Sequence, residues 1–152
     1  MSQQIDEVVI RKSIRVEAPA ERAFRVFTEE IASWWPLHMH AVDTDASDAV
    51  VMEGWVGGRL FERTRTGEEH DWGTLVVWEP PHRVGYTWYP GRGAETAQEV
   101  EVTFTPEDGG TRVEVRHWGW EKLGDDSLTE TVASYDEGWD AVLARYAEAA
   151  NA

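Results

Sequence analysis

The chain has 152 residues, of which 41% are hydrophobic and 28% charged, a length and composition that predict one globular domain. Its formal net charge of −15 makes nucleic acid and anionic membrane surfaces poor partners, while a basic protein or a cationic ligand stays open. It has no apolar run of membrane-spanning length, no secretory signal and no cysteine, so we predict a cytoplasmic protein that neither enters a membrane nor forms disulfides.

The first regular pattern runs from residue 8 to 16, where apolar and polar residues alternate as in a half-buried strand. Lys12 is the polar exception on the apolar face, and we expect it to bury its stem and keep its ammonium group in water. A short helix is predicted directly after Pro19, which suits a first helical turn. Residues 30–35 predict a second short helix that ends before Pro36.

From about residue 49 the apolar residues recur at every second position, and turn residues separate the runs. This pattern predicts about six further strands. Because short turns join them, neighbouring strands must run antiparallel. The predicted strands cover residues 49–54, 59–65, 71–78, 83–89, 99–105 and 112–117.

The last segment predicts a long amphipathic helix. Its continuous apolar face consists of Tyr135, Trp139, Val142, Leu143 and Tyr146. Capping boxes beginning at Ser127 and at Ser134 leave the start of the helix open. The order of elements predicts one α+β domain over residues 1–152, with its core at about 8–147. The last helix is the only element long enough to cover the sheet.

Nine tryptophans are distributed over nearly every predicted element. Each alone is explained by core packing. Together they favour an aromatic cavity lining, because indole N–H groups need partners that a dry core rarely provides. His117 continues the apolar parity of its strand, so it is either a satisfied histidine at a strand end or a ligand contact. The candidate cavity residues are Trp35, Trp55, Trp72, Trp78, Tyr86, Trp88, His117, Trp139 and Leu143.

No standard catalytic signature is present: the chain lacks a thiol nucleophile, a serine elbow, a phosphate-binding glycine loop and a zinc-protease motif. The pattern nearest to a metal site is His38-x-His40, followed by Asp43 and Asp45. Zinc sites usually need a third protein ligand and supporting hydrogen bonds, whereas clustered His and Asp in a loop are more often simply solvated. We therefore predict no catalytic residue, no metal and no cofactor.

Several short strings occur in an order that resembles a known superfamily. They are Val56-Gly57-Gly58-Arg59, Trp72-Gly73-Thr74, Trp78-Glu79-Pro80-Pro81-His82-Arg83-Val84, Thr87-Trp88, Gly110-Thr111-Arg112-Val113, His117-Trp118-Gly119-Trp120 and Gly138-Trp139. In order and spacing they resemble the SRPBCC superfamily of START-like, helix-grip proteins, which includes the birch-pollen-allergen type. Within it, the chain is most similar to the family named after the C-terminal domain of the heat-shock-protein-90 ATPase activator.

That resemblance implies a helix-grip fold, in which a curved antiparallel sheet of about six to seven strands wraps around a long C-terminal helix. It also implies a cavity between sheet and helix that often takes an apolar ligand. Our main hypothesis is therefore a small protein that binds an apolar or aromatic small molecule. A protein-interaction module of the chaperone-activator type and a cyclase- or hydrolase-like enzyme are the alternatives, and the chain is expected to be a monomer or a homodimer.

Overall fold

The computed structural model describes residues 8–123 and 128–152. Seven strands form one sheet: β1 Ile10–Val16, β2 Ser47–Met52, β3 Arg59–Thr64, β4 Glu69–Glu79, β5 Arg83–Trp88, β6 Gln98–Glu107 and β7 Gly110–Trp118. The α-helices in the described ranges are α1 Ala20–Thr28 and α2 Leu128–Asn151. Short 3-10 helices cover Ile31–Ser33, Ala94–Thr96 and Trp120–Leu123.

The sheet has the strand order β1-β7-β6-β5-β4-β3-β2, and every pair of neighbours is antiparallel. Strands β2 to β7 therefore follow one another in space as they do in sequence, which short turns permit. The sheet curls, and α2 lies along its concave face. This arrangement confirms the predicted helix-grip fold of α+β class.

Several element boundaries differ from the sequence-based prediction, among them those of the second short helix, β2 and α2. The second short helix is a single 3-10 turn, Ile31–Ser33, rather than a helix over residues 30–35. Strand β2 begins at Ser47, two residues earlier than predicted. Helix α2 begins at Leu128 and runs through Ser134, so the second capping box does not start the helix. Ser127, at the first capping box, lies outside the described residues.

One half of the space between sheet and α2 is filled by aromatic rings. We call this region the filled end and define it as Phe24, Phe27, Trp34, Phe104 and Tyr146. The ring centroids of Phe27 lie 5.4 Å from Trp34, 5.8 Å from Phe104 and 5.2 Å from Tyr146. These distances are typical of favourable edge-to-face aromatic packing. Helix α1 thus brings its apolar face between the sheet and the C-terminal half of α2.

The edge strand β1 is tied to α2 by an ion pair network. The Lys12 ammonium lies 3.2 Å from Asp136 and 3.1 Å from Asp140, and its side chain is 18% exposed. Burial alone would lower the pKa of Lys12, but hydrogen bonds to both carboxylates raise it above its usual value. The ammonium is therefore paired with carboxylates rather than left in open water. No helix within the described ranges combines the length and apolarity needed to cross a membrane.

Candidate functional site

A cavity of about 450 Å³ occupies the other half of the space between sheet and α2. It lies between β4, β5, the N-terminal half of α2 and the loop of residues 34–46, which we call the cover loop. Its volume falls within the range of sites that hold small organic molecules. The lining residues are Trp35, Met39, His40, Ala41, Val42, Trp72, Trp88, Pro90, Gly91, Ser134, Tyr135, Gly138, Trp139 and Val142.

Three tryptophans in mutual contact form one wall of the cavity, Trp72 and Trp88 from the sheet and Trp35 from the cover loop. The ring centroids of Trp35 and Trp72 are 5.1 Å apart, those of Trp72 and Trp88 are 5.5 Å apart, and those of Trp35 and Trp88 are 6.1 Å apart. Trp139 faces them from α2. Since each ring is held by its neighbours, the cavity wall is a preformed aromatic surface that needs little ordering when a ligand binds.

A close approach of two strands positions Trp72 and Trp88. The backbone N–H of Tyr89 donates to the carbonyl of Trp72 at 2.6 Å. Next to Trp72, a Cβ at Gly73 would lie 1.7 Å from the carbonyl oxygen of Thr87, so only glycine fits there. The string Trp72-Gly73 therefore has a direct structural reason, because the glycine lets the two indoles meet.

The buried carboxylate of Glu62 holds the cover loop against the sheet. Its oxygens accept hydrogen bonds from the backbone N–H groups of Val42 (2.7 Å) and Asp43 (2.9 Å), from the Ser47 hydroxyl and from the Trp72 indole. Burial by itself would raise the pKa of Glu62, but these four hydrogen bonds outweigh it and keep the pKa below its usual value. Glu62 is consequently ionised at neutral pH and fixes one side of the cavity.

On the α2 side of the cavity, small residues on successive helical turns leave part of the volume unfilled. Ser134, Gly138 and Val142 are spaced by four residues, so they share one face of α2. A Cβ at Gly138 would lie 3.5 Å from Cε1 of His40, an ordinary contact distance. The missing side chain at Gly138 therefore contributes directly to the hollow beside His40.

His117 lies behind the cavity wall rather than in it. It is fully buried and its ring is stacked on Trp120 at a centroid distance of 4.2 Å. Its Nε2 donates to Oε1 of Gln98 at 3.2 Å, while its Nδ1 accepts from the indole N–H of Trp139 at 3.0 Å. Burial lowers the pKa of His117 to about 3. The imidazole is thus neutral and orients Trp139.

Two polar atoms at the cavity are buried without a partner. Three of the four tryptophans in the wall have their indole N–H bonded: Trp35 to the carbonyl of His40, Trp72 to Glu62 and Trp139 to His117. Nε1 of Trp88 and Nε2 of His40 have no hydrogen bond within the described part of the chain. Burial and the charge of His38 lower the pKa of His40. Two lining residues therefore carry a ring nitrogen whose hydrogen-bonding capacity is unused, the indole N–H of Trp88 and the neutral imidazole of His40.

The structure brings four of the nine candidate residues together in the lining: Trp35, Trp72, Trp88 and Trp139. Tyr86, His117 and Leu143 are buried outside the lining. Trp78 packs on Phe24 in the filled end, with ring centroids 5.1 Å apart. Trp55 follows the end of β2, is 58% exposed and lies outside the lining.

Sequence reasoning missed the contribution of the cover loop and of the small residues on α2. Met39, His40, Ala41 and Val42 lie in a segment without regular secondary structure, so no periodicity predicts which side chains face inward. The one available signal was Trp34-Trp35-Pro36, which marks the start of the loop. None of the described lining residues is Asp, Glu, Lys or Arg, which makes the cavity uncharged at neutral pH.

A family model described as Activator of Hsp90 ATPase homolog 1-like protein matches residues 17–151. Among solved structures, the anthrahydroquino-Gama-pyrone synthase Txn09, complexed with SUM, is 32% identical to this chain. The similarity covers 94% of this chain and 97% of that one, with a TM-score of 0.62. No protein with a curated description matches the sequence.

Two further solved structures share the fold. The self-sacrificing resistance protein CalC from Micromonospora echinospora is 26% identical, with 93% of each chain covered and a TM-score of 0.70. The Aha1 dimer from Colwellia psychrerythraea is 18% identical, with 95% of this chain and 96% of that chain covered and a TM-score of 0.70. At 18% identity the likeness concerns the fold alone. The same fold thus occurs in a synthase, a resistance protein and a dimeric protein.

Proposed function

Since the chain belongs to the Activator of Hsp90 ATPase homolog 1-like family, we propose that it binds a neutral, flat aromatic molecule in the cavity between sheet and α2. One observation carries this proposal: four tryptophans wall the cavity, and one of them, Trp88, has a buried indole N–H without a partner in the described residues. An unsatisfied buried donor is costly unless a ligand or water completes it. A ligand with a carbonyl or ether oxygen would do so.

The electrostatics of the cavity support a neutral ligand. Its described lining lacks ionised side chains, and the lowered pKa of His40 keeps that imidazole uncharged at neutral pH. An anion would gain no counter-charge there and would also be repelled by the net charge of −15. A cation would be attracted to the indole faces, but no described lining residue supplies a carboxylate to replace its hydration. A neutral aromatic ring can stack on the indoles without needing a counter-charge and without giving up the hydration of an ion.

The test compares ligands that share three fused rings, by quenching of tryptophan fluorescence. Anthraquinone carries carbonyl acceptors, anthracene has none, and anthraquinone sulfonate adds a negative charge. We expect anthraquinone to bind more tightly than either of the others. The substitution Trp88→Phe should weaken anthraquinone binding about fivefold, since a hydrogen bond is worth about 1 kcal/mol, and should weaken anthracene binding less, because only stacking area is lost there.

Trp55→Phe is the matched control, because Trp55 is exposed and outside the cavity. It should bind all three ligands as the unmodified chain does. The proposal is wrong if neither anthraquinone nor anthracene quenches the fluorescence, or if Trp55→Phe weakens binding as much as Trp88→Phe. Native mass spectrometry of the freshly purified protein provides a second readout, because a ligand held in this cavity should appear as a discrete added mass.

A second candidate function is proton transfer on a bound aromatic ketone, as in a ring-closing enzyme. It is favoured by the 32% identity to a pyrone synthase over nearly the full length of both chains. His40 would be the base, because its lowered pKa leaves it neutral at pH 7, its side chain borders the cavity and its Nε2 has no hydrogen bond within the described part of the chain. A positioned imidazole of this kind is a typical general base.

Anthrone, a neutral three-ring ketone with an acidic methylene group, tests this second function. In D2O the base would remove a methylene proton and solvent would return deuterium, which proton NMR follows directly. We expect the protein to accelerate this exchange and His40→Gln to abolish the acceleration, while His38→Gln, at an exposed neighbouring histidine, retains it. Exchange at the uncatalysed rate in the presence of the unmodified protein would contradict the enzyme role and leave the binding role standing.

A further inference from the structure

A group of metal-ligating side chains lies outside the cavity, at the outer side of the cover loop. Ligand atoms of Asp43, Glu68 and His70 all lie within 4.8 Å of one another. They come from three segments: the cover loop, the turn between β3 and β4, and β4 itself. We propose that these three residues form a binding site for a divalent transition-metal cation, which fastens the cover loop to the β3–β4 hairpin.

The donor set fits such a cation. One imidazole nitrogen and two carboxylate oxygens are ligands of Zn²⁺ and related ions, with water completing the coordination. Nε2 of His70 is buried, lies 3.9 Å from Oε1 of Glu68 and has no hydrogen bond within the part of the chain that is described. A bound cation would give this orphaned nitrogen its missing partner, which neither carboxylate does at the present distance.

The geometry needs only a small adjustment. Zn–N and Zn–O distances of about 2.0–2.2 Å place neighbouring ligands about 3.3 Å apart in a tetrahedral site. The three side chains must therefore approach one another by at most about 1.5 Å. Glu68 can supply this movement, because its side chain is 71% exposed and stands in a turn. Rotation of an exposed glutamate costs little.

Asp43 is already oriented by the buried carboxylate of Glu62. Its backbone N–H donates to Glu62 at 2.9 Å, and its own Oδ1 accepts the N–H of Ala46 at 3.1 Å. Its Oδ2 has no hydrogen bond among the described residues and remains available to a cation. Supporting contacts of this kind hold a ligand in place and raise metal affinity. The cation would thereby add a second attachment for the loop that Glu62 already holds.

The sequence pattern nearest to a metal site, His38-x-His40 followed by Asp43 and Asp45, was expected to be solvated and contains neither Glu68 nor His70. His40 faces the cavity and His38 is exposed. Only Asp43 belongs to both sets. The partners of Asp43 come from a hairpin that lies 25 or more residues further along the chain, which is why sequence spacing did not indicate them.

The experiment titrates tag-free protein, without any cavity ligand, with Zn²⁺ by isothermal calorimetry. We expect one Zn²⁺ per chain, and at least about tenfold weaker binding in both His70→Gln and Glu68→Gln. Control variants that remove the same charge or ring type at exposed positions should bind Zn²⁺ as the unmodified chain does. They are Asp45→Asn, His38→Gln and His82→Gln. Because no cavity ligand is used, failure of this site and failure of the proposed function are distinguishable.

The competing explanation is unspecific attraction of cations by a chain with 29 acidic residues. In that case Mg²⁺ and Ca²⁺ would bind like Zn²⁺ and His70→Gln would change nothing, and either result overturns the proposal. Loss of binding in His38→Gln with retention in His70→Gln also overturns it, as does the absence of Zn²⁺ binding. If His70→Gln fails to fold, Zn²⁺ binding by Glu68→Gln tests the proposal instead, because Glu68 is exposed and its substitution leaves the core intact.

Discussion

Trp34 and Trp35 are adjacent in the chain, yet the first lies in the filled end and the second in the wall of the cavity. Trp34 packs against Phe27 and Tyr146, and its indole N–H donates to the carbonyl of Val26 at 2.8 Å. Trp35 packs against Trp72 and donates to the carbonyl of His40 at 2.7 Å. Both indoles are satisfied and largely buried, but only one of them borders a hollow.

The difference comes from what covers the aromatic residues. At the filled end, α1 places Phe24 and Phe27 between the sheet and α2, and the Tyr146 hydroxyl donates to the carbonyl of Ala23 at 2.8 Å. At the cavity, the cover loop rather than a helix packs over the sheet, and α2 contributes the small residues Ser134 and Gly138. A high aromatic content therefore produces a solid core or a cavity, depending on the backbone elements and small residues around it.

The largest expected effect is at the filled end. Phe27→Ala should reduce the free energy of unfolding by about 3–5 kcal/mol, because the surrounding rings cannot collapse into the space. Met39→Ala in the cover loop is the comparison, since Met39 borders the cavity and is 58% exposed. It should cost about 0.5 kcal/mol or less. Urea unfolding measures both, and equal losses would contradict the contrast between the two ends.

Next in size is Glu62→Gln, which should reduce the free energy of unfolding by about 2–4 kcal/mol at pH 7, since charged hydrogen bonds are lost at a buried site. The folded-state pKa of Glu62 is lowered from its ordinary 4.5. Its contribution is therefore complete above about pH 4.5 and is lost as the pH falls through the lowered pKa. The variant should show a shallower loss of stability below that pH.

Asp48→Asn is the control for Glu62→Gln, because Asp48 is an exposed acid on β2. It should change neither the stability at pH 7 by more than about 0.5 kcal/mol nor the slope at acid pH. A Glu62→Gln protein as stable as the unmodified chain would show that the cover loop does not depend on this carboxylate.

A third effect concerns His117, whose contribution to the free energy of unfolding changes over a different pH range from that of Glu62. The pKa of His117 is lowered from 6.5 to about 3 in the folded protein. As the pH falls, this histidine is therefore protonated in the unfolded chain before it is protonated in the folded one. Stability is complete above about pH 6.5 and falls as the pH decreases, by about 2 kcal/mol between pH 7 and pH 5. His117→Gln should flatten this slope, as measured by urea unfolding at both pH values. His82→Gln, on an exposed turn, should keep it, and an unchanged slope in His117→Gln would refute the assignment.

The smallest expected effect is that of Gly138→Ala, which should increase stability and decrease ligand affinity. Gly138→Ala should raise the free energy of unfolding by about 0.5–1 kcal/mol, because alanine favours the helix and its Cβ meets His40 at an ordinary distance. The same methyl group occupies cavity space, so anthraquinone affinity should fall about fivefold. Ala144→Gly, on an exposed part of α2, should lower stability without changing affinity. Equal affinity in Gly138→Ala would show that the ligand does not contact this part of α2.

Alternation along the strands predicted the antiparallel sheet correctly. Trp72 and Trp88 lie on β4 and β5 and border the cavity. The same parity could not separate Trp72 from Trp78, which shares its side of β4 but packs on Phe24. Position along a curved sheet, rather than the face of the strand, decides whether such a residue meets a helix or a hollow.

The order of the elements, the antiparallel sheet and the apolar face of α2 can be predicted from the amino-acid sequence. These depend on local periodicity and turn residues, which are properties of neighbouring positions. The folded structure is needed to show that His40, Gly138 and Trp88 meet at one cavity, and that Asp43 approaches Glu68 and His70. Such contacts join distant segments through an irregular loop, and no repeating pattern in the chain encodes how that loop folds back.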